Sequence, residues 1–271
     1  MTDTAPLRVR RPDFTFGPET DPAWTPLRPE FACAANSVSI LMPHMEPYFV
    51  RSVAAALPEL DDELAMTARA YNSQEMEHQR LHGRFNAILI EKYPKLAVVV
   101  NVADRVYRWL GNSRSVEFNI AFVATSETIA YAAARWSAAH RQELFEGADP
   151  EIAALYQWHL AEEVEHKAAV HDVYQAIGGR RLRYLGAMLS SLALVVSLIG
   201  MGTVIMLAAT GRWWHPLAWL RLIRWAVTFV FELITLLVMS LLPQSHPNQL
   251  TDPLWLEVWL RELDSGRAPS P

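Results

Sequence analysis

Cysteine is nearly absent from these 271 residues, and neither sign of charge is in large excess. The one thiol, Cys33, excludes an internal disulfide framework and a thiolate metal cluster, and it fits a reducing compartment. Its expected role is that of a small buried apolar residue. A formal charge of −5 leaves no basic excess for a phosphate backbone, so nucleic acid is not an expected partner. No window alternates apolar and polar residues with period two, so strands are not expected. The N-terminal arginines are followed by no apolar core segment, which argues against a secretory leader and places the catalytic part in the cytoplasm.

Apolar residues are plentiful, at 51% of the chain, enough to bury one large core or two small ones. Residues 1–30, rich in Pro and polar side chains, read as an extended arm. Residues 31–57 are helix-compatible but carry Pro43 and Pro47, which predict a kink beside Glu46. Acidic residues at its start and Pro94 at its end mark a long helix over 61–93. A further helix is predicted over 95–110, one over 115–145, and one from an Asp149 cap and Pro150 to the Gly178–Gly179 stop. Residues 31–179 therefore read as an all-α bundle.

Beyond it, residues 184–211 hold no formal charge, enough to cross a hydrocarbon layer of about 30 Å at about 1.5 Å per residue. Residues 225–242 form a second apolar run broken only by Glu232, and the linker mixes Trp with Arg as interfacial anchors do. Arg180, Arg181 and Arg183 precede the first run and Arg212, Arg221 and Arg224 follow it, so positive charge gives no orientation. Residues 180–271 thus read as an apolar hairpin that spans, dips into or lies on a membrane, or covers the bundle, followed by a short amphipathic helix and a disordered end.

Inside the bundle the chemistry is carried by Glu46, Glu75, Glu127 and Glu163, acids placed on apolar helix faces where a lone carboxylate is costly. Glu75 and Glu163 are each followed three residues later by an imidazole, His78 and His166. A Glu from each of two helices and Glu-x-x-His from each of two others is how four-helix bundles hold two cations. Glu75, His78 and His82 fall within an arc of roughly 60° on their helix, as do His159, Glu163 and His166 on theirs. His159 is therefore a candidate third imidazole ligand, and His82 is either a ligand or the hydrogen-bond partner of one. His44 competes with Glu46, and Glu117 less well with Glu127. His171, Glu77, Glu162 and Glu165 fall off the stripes and read as solvated or as partners of ligands. Tyr131, four after Glu127, packs in the core or lines the cavity.

These residues resemble the ferritin-like di-iron carboxylate proteins, and His159-x3-Glu163-x2-His166 resembles the arylamine N-oxygenase branch. Gln74, Glu75, His78 and His82 also resemble a bacterial family known as predicted metal-dependent hydrolases. The resemblance, over residues 30–179, implies two iron ions, dioxygen as co-substrate, an electron donor, and a four-helix core with residues 95–110 in a crossover. Manganese or zinc suits the same oxygen and nitrogen donors. Three activities follow as expectations. The first is a di-iron oxidase or oxygenase at the inner membrane, with Glu75 and Glu163 at the reacting centre and an apolar or lipid-like substrate. The second is a dinuclear hydrolase of an ester, amide or phosphate bond. The third is metal storage or sensing without catalysis.

Overall fold

Pro29 opens α1 (Pro29–Ala56), at a position where a missing N–H leaves no helical bond unmade. The computed structural model describes residues 7–17, 19–242 and 245–265. The Pro43–Pro47 region, predicted to kink, lies within one unbroken helix. Each proline there removes one donor from the ladder, and one of the released carbonyls is taken up by a side chain of the next helix, described below.

α2 (Asp62–Lys92) starts at Asp61, whose side chain accepts the Leu64 N–H. It packs along α1 and ends before Pro94. α3 (Ala97–Ser113) packs on α1 as a connector and leads to α4 (Val116–Ala139), capped by Ser115. The helix predicted over 115–145 is interrupted at His140, and a short α5 (Arg141–Phe145) follows. α6 (Pro150–Glu165) begins as expected from Asp149, which accepts the Glu151 and Ile152 N–H groups. It does not run on to residue 177. The chain breaks at His166 and resumes as α7 (Ala169–Ala176), which packs on α4 and α2.

α8 (Arg181–Ala209) and α9 (Pro216–Leu241) form the hairpin, joined through Gly211 at φ +70°, a left-handed conformation that glycine adopts without a Cβ penalty. Both helices are long and apolar enough to cross a membrane. α8 packs on α1 and α4, and α9 packs on α4. Leu198 and Trp225 of the hairpin share one apolar core with Tyr48 and Phe122 of the bundle. α10 (Leu254–Asp264) closes on α6. No strand occurs among the described residues.

Among its described residues the arm ahead of α1 holds no helix, and it is tied down: Arg10, Phe14 and Trp24 are buried. Residues 1–6 and 18 of that arm, and residues 266–271, where disorder was expected, lie outside the described residues.

Candidate metal centre

Four helices bring their acids to one buried point. Glu46 comes from α1, Glu75 and His78 from α2, Glu127 from α4, and His159 and Glu163 from α6; all are buried. The break after Glu165 puts His166 at the end of α6 with a turn-like backbone. Its ring thereby reaches three acids: Nδ1 is 3.0 Å from Glu127 Oε2, and Nε2 is 3.3 Å from Glu75 Oε1 and 3.9 Å from Glu163 Oε2.

Donor atoms of Glu75, His78, Glu163 and His166 lie within 4.8 Å of one another, as do those of Glu46, His78 and His159. The two groups share His78. Both oxygens of Glu46, Oε1 of Glu75, Nδ1 of His78, Oε2 of Glu127, Oε2 of Glu163 and both nitrogens of His166 are buried without a hydrogen-bond partner. His166 and Glu127 are near enough for an ion pair but are not aligned for a hydrogen bond, which is how co-ligands of one cation face each other. So many orphaned donors at one buried point are costly unless a cation takes them up. The residues fit a metal.

Hydrogen-bond direction fixes which nitrogens face that point. Asn86 Nδ2 donates to the Ser39 carbonyl oxygen at 2.7 Å, the acceptor that Pro43 leaves without its helical donor. Asn86 Oδ1 then accepts the Ser39 hydroxyl at 2.7 Å, so Ser39 Oγ accepts from His82 Nδ1 at 2.7 Å. His82 Nε2 is left as acceptor for His159 Nδ1 at 2.8 Å. The remaining nitrogen of His159, Nε2, is bare in the neutral ring and sits 2.8 Å from Glu163 Oε1 and 4.0 Å from Glu46 Oε1. A proton or a cation must lie between such atoms. His82, which its stripe left open as a ligand or as the hydrogen-bond partner of one, has both nitrogens engaged and orients His159.

His78 is set from the other side. Its Nε2 donates to Glu162 Oε2 at 3.1 Å, and Glu162 Oε1 receives Arg10 at 3.2 Å. That leaves His78 Nδ1 aimed inward, 3.8 Å from Glu75 Oε1. Glu162, off the stripe in sequence, is fully buried and serves the site, and no local pattern marks Arg10, Ser39 or Asn86 as partners. Tyr71 also emerges only here, donating to Glu127 Oε1 at 2.7 Å.

The other candidates fall away from the centre. His44 is partly exposed while Glu46 points in, and Glu117 lies in the first turn of α4. Glu77 pairs with Arg80 at the surface, and Glu165 binds Arg10 and Gln74. Tyr131 donates to Asp252 Oδ1 at 2.7 Å. His171 is buried against His246, whose Nδ1 accepts the Asn248 N–H at 3.2 Å and whose Nε2 donates to Asp172 at 2.7 Å. With both nitrogens of His246 satisfied, that trio needs no cation.

Crowded acids out of water hold their protons. Burial first, and then the neighbouring carboxylates, push Glu46 and Glu75 well above the usual range. Burial and then Glu163 raise Glu127 to about 7. Burial lowers His78 and His82. His166 is lowered by burial, but Glu163 and Glu127 outweigh it and raise the ring to about 9. Glu163 would be raised by burial, yet His166 first and then the nearby His159 hold it low.

No curated protein and no solved structure matches this chain. The model of one family, predicted metal-dependent hydrolases, matches residues 8–250. The chain, with its buried cluster of Glu and His donors, belongs to the family of predicted metal-dependent hydrolases.

Proposed function

We propose that the chain is a dinuclear metal-dependent hydrolase that works at a membrane surface and cleaves an ester, amide or phosphate bond in an apolar or lipid-like substrate. The observation that carries this reading is the set of buried, unpartnered carboxylate and imidazole atoms converging from four helices. Glu46, Glu75, Glu127 and Glu163 together offer four negative charges, which two divalent cations balance. The family to which the chain belongs favours hydrolysis.

Bound cations supply Lewis acidity and lower the pKa of water. Glu75 and Glu163 each face imidazoles on two sides and would hold cations together with them. His78 Nδ1, His159 Nε2 and His166 complete the donor set. Glu46, with neither oxygen hydrogen-bonded, is placed to take a proton from an attacking water. His82, Ser39 and Asn86 hold His159 in register, and Glu162 with Arg10 holds His78.

The order of donors supports a second reading. Glu, Glu-x-x-His, Glu, Glu-x-x-His on successive helices is the arrangement of ferritin-like di-iron bundles, in which iron and dioxygen would oxidise the same kind of substrate. One experiment separates the two. Full-length protein loaded with zinc or manganese is assayed against ester, amide and phosphodiester panels under nitrogen, and ferrous protein is assayed for dioxygen uptake with a reductant. Hydrolysis without dioxygen is expected. Dioxygen consumption, with no hydrolysis under any metal, overturns the hydrolase reading in favour of the oxidase.

A further inference from the structure

We infer that the α8–α9 hairpin lies flat in a single anionic lipid leaflet instead of crossing the bilayer. The inference rests on the membrane half of the reading above and not on the reaction.

The bundle underlies α8 along its whole length. Near its start, Tyr184 meets Thr128 and Ser191 meets Ser126 of α4, the latter pair at 2.7 Å. Toward its end, Gly202 comes so close to α1 that a Cβ there would lie 2.8 Å from Ser37 Oγ, and Thr203 bonds the same hydroxyl at 3.2 Å. Met206 and Leu207 continue this buried edge. From Tyr184 to Leu207 is about 35 Å of helix, more than the hydrocarbon thickness of about 30 Å. α9 is fastened alongside by Trp136 to Thr228 and by Arg135 to Glu232.

A bilayer-crossing hairpin would therefore carry α1, α2 and α4 through the hydrocarbon with it. α2 packs along α1 and exposes Arg69, Arg80, Arg84 and Glu91 over most of its length. Charged groups at that depth, facing lipid, are costly. Lying in the plane removes the conflict, since the hairpin's other face is apolar from end to end. Leu182 is 85% exposed, Leu189 58%, Val196 59% and Phe231 71%. Trp214, 83% exposed at the turn, sits where interfacial tryptophans do.

Charge selects the occupant. Residues 180–242 hold six arginines and one acid, Glu232, in a chain of net charge −5. Arg221 and Arg224 pair with Glu30 and Glu143 of the bundle, so the charge offered to lipid is that of Arg180, Arg181 and Arg183 at the start of α8 and Arg212 just after its end. An apolar face edged with arginine suits anionic headgroups, whereas a second copy would set arginine against arginine. The seated leaflet would lie close to the chemistry, because Ser126, which holds α8, is the chain neighbour of Glu127.

The test uses full-length, metal-loaded protein in a Cys33→Ala background. Spin labels are placed at Leu182→Cys, Leu189→Cys, Val196→Cys and Val204→Cys on α8, and at Arg69→Cys and Glu91→Cys on α2. The protein is bound to phosphatidylcholine vesicles with or without phosphatidylglycerol. The expected result is binding that needs phosphatidylglycerol, the four α8 labels together at a depth of about 5–10 Å, and both α2 labels in water. Depths spread across about 30 Å along α8, with α2 drawn into lipid, would overturn the flat arrangement but keep the membrane reading. Equal binding to pure phosphatidylcholine would overturn the anionic preference. Absence of vesicle binding, with α8 labels shielded only as dimers form, would overturn the inference and the membrane reading together, leaving the hydrolase reading to its own assay.

Discussion

Asn86 donates its amide to the carbonyl oxygen of Ser39 at 2.7 Å, across the interface between α2 and α1. That oxygen is available because Pro43, four residues on, has no N–H to give it. A proline that predicts a kink thus supplies the fixed end of a chain of hydrogen bonds that finishes on His159. Asn86→Ala is expected to leave the Ser39 carbonyl unpaired and lower stability by about 1–3 kcal/mol. Metal affinity at the His159 side should fall by about 10–100-fold. Denaturant unfolding and metal titration of the full chain measure the two effects.

Glu163→Gln keeps the shape of a central side chain and removes its charge. Bound metal per chain, read by elemental analysis, should drop to half or less. Glu46→Gln should likewise weaken metal binding, but in metal-free protein it should raise the melting temperature at pH 8, because the fold no longer has to retain a proton that the unfolded chain releases.

Metal-free protein should lose stability as pH rises from 7 to 9. Glu46 and Glu75 are raised well above the ordinary range by burial, and His166 is raised to about 9; Glu127, raised only to about 7, makes most of its loss below that interval. In that interval the folded chain retains protons that the unfolded chain has released, so each such group contributes stability that fades as pH passes its folded value. Below about 6.5 the sign reverses for His78 and His82, whose lowered values make unfolding take up protons. Divalent metal competes with the same protons and should flatten or invert the fall between pH 7 and 9. Melting curves with and without metal at three pH values decide it.

Arg10→Ala should be among the costliest changes outside the cluster. Arg10 joins Glu162, Glu165 and Asp264, and Glu162 is fully buried. Removing the cation strands that acid at a cost of about 3 kcal/mol or more. It also loosens His78, so metal affinity should fall along with the unfolding midpoint; unchanged affinity would show that Glu162 alone fixes the ring.

Gly202→Ala probes the seam between hairpin and bundle. Its new Cβ would meet Ser37 Oγ at 2.8 Å and Cβ at 3.0 Å, an overpacking that typically costs about 1–3 kcal/mol. The seam is separate from the metal cluster, so metal stoichiometry should be unchanged while the melting temperature falls.

Local patterns determined much of this molecule. The Asp149 cap, the helix starts near residues 61 and 115, and the spacing of Glu75 with His78 and Glu163 with His166 depend on helix geometry over a few residues, and they are legible in the chain itself. The apolar runs of α8 and α9 are legible for the same reason. Periodicity cannot say which neighbour a side chain meets. It could not separate His82, held between Ser39 and His159, from a ligand, nor find Arg10 for Glu162 across 152 residues. It also carried one helix through His166, where the chain turns so that one imidazole can meet acids from three helices. Those choices depend on contacts between distant segments, which only the packed tertiary structure brings within hydrogen-bonding range.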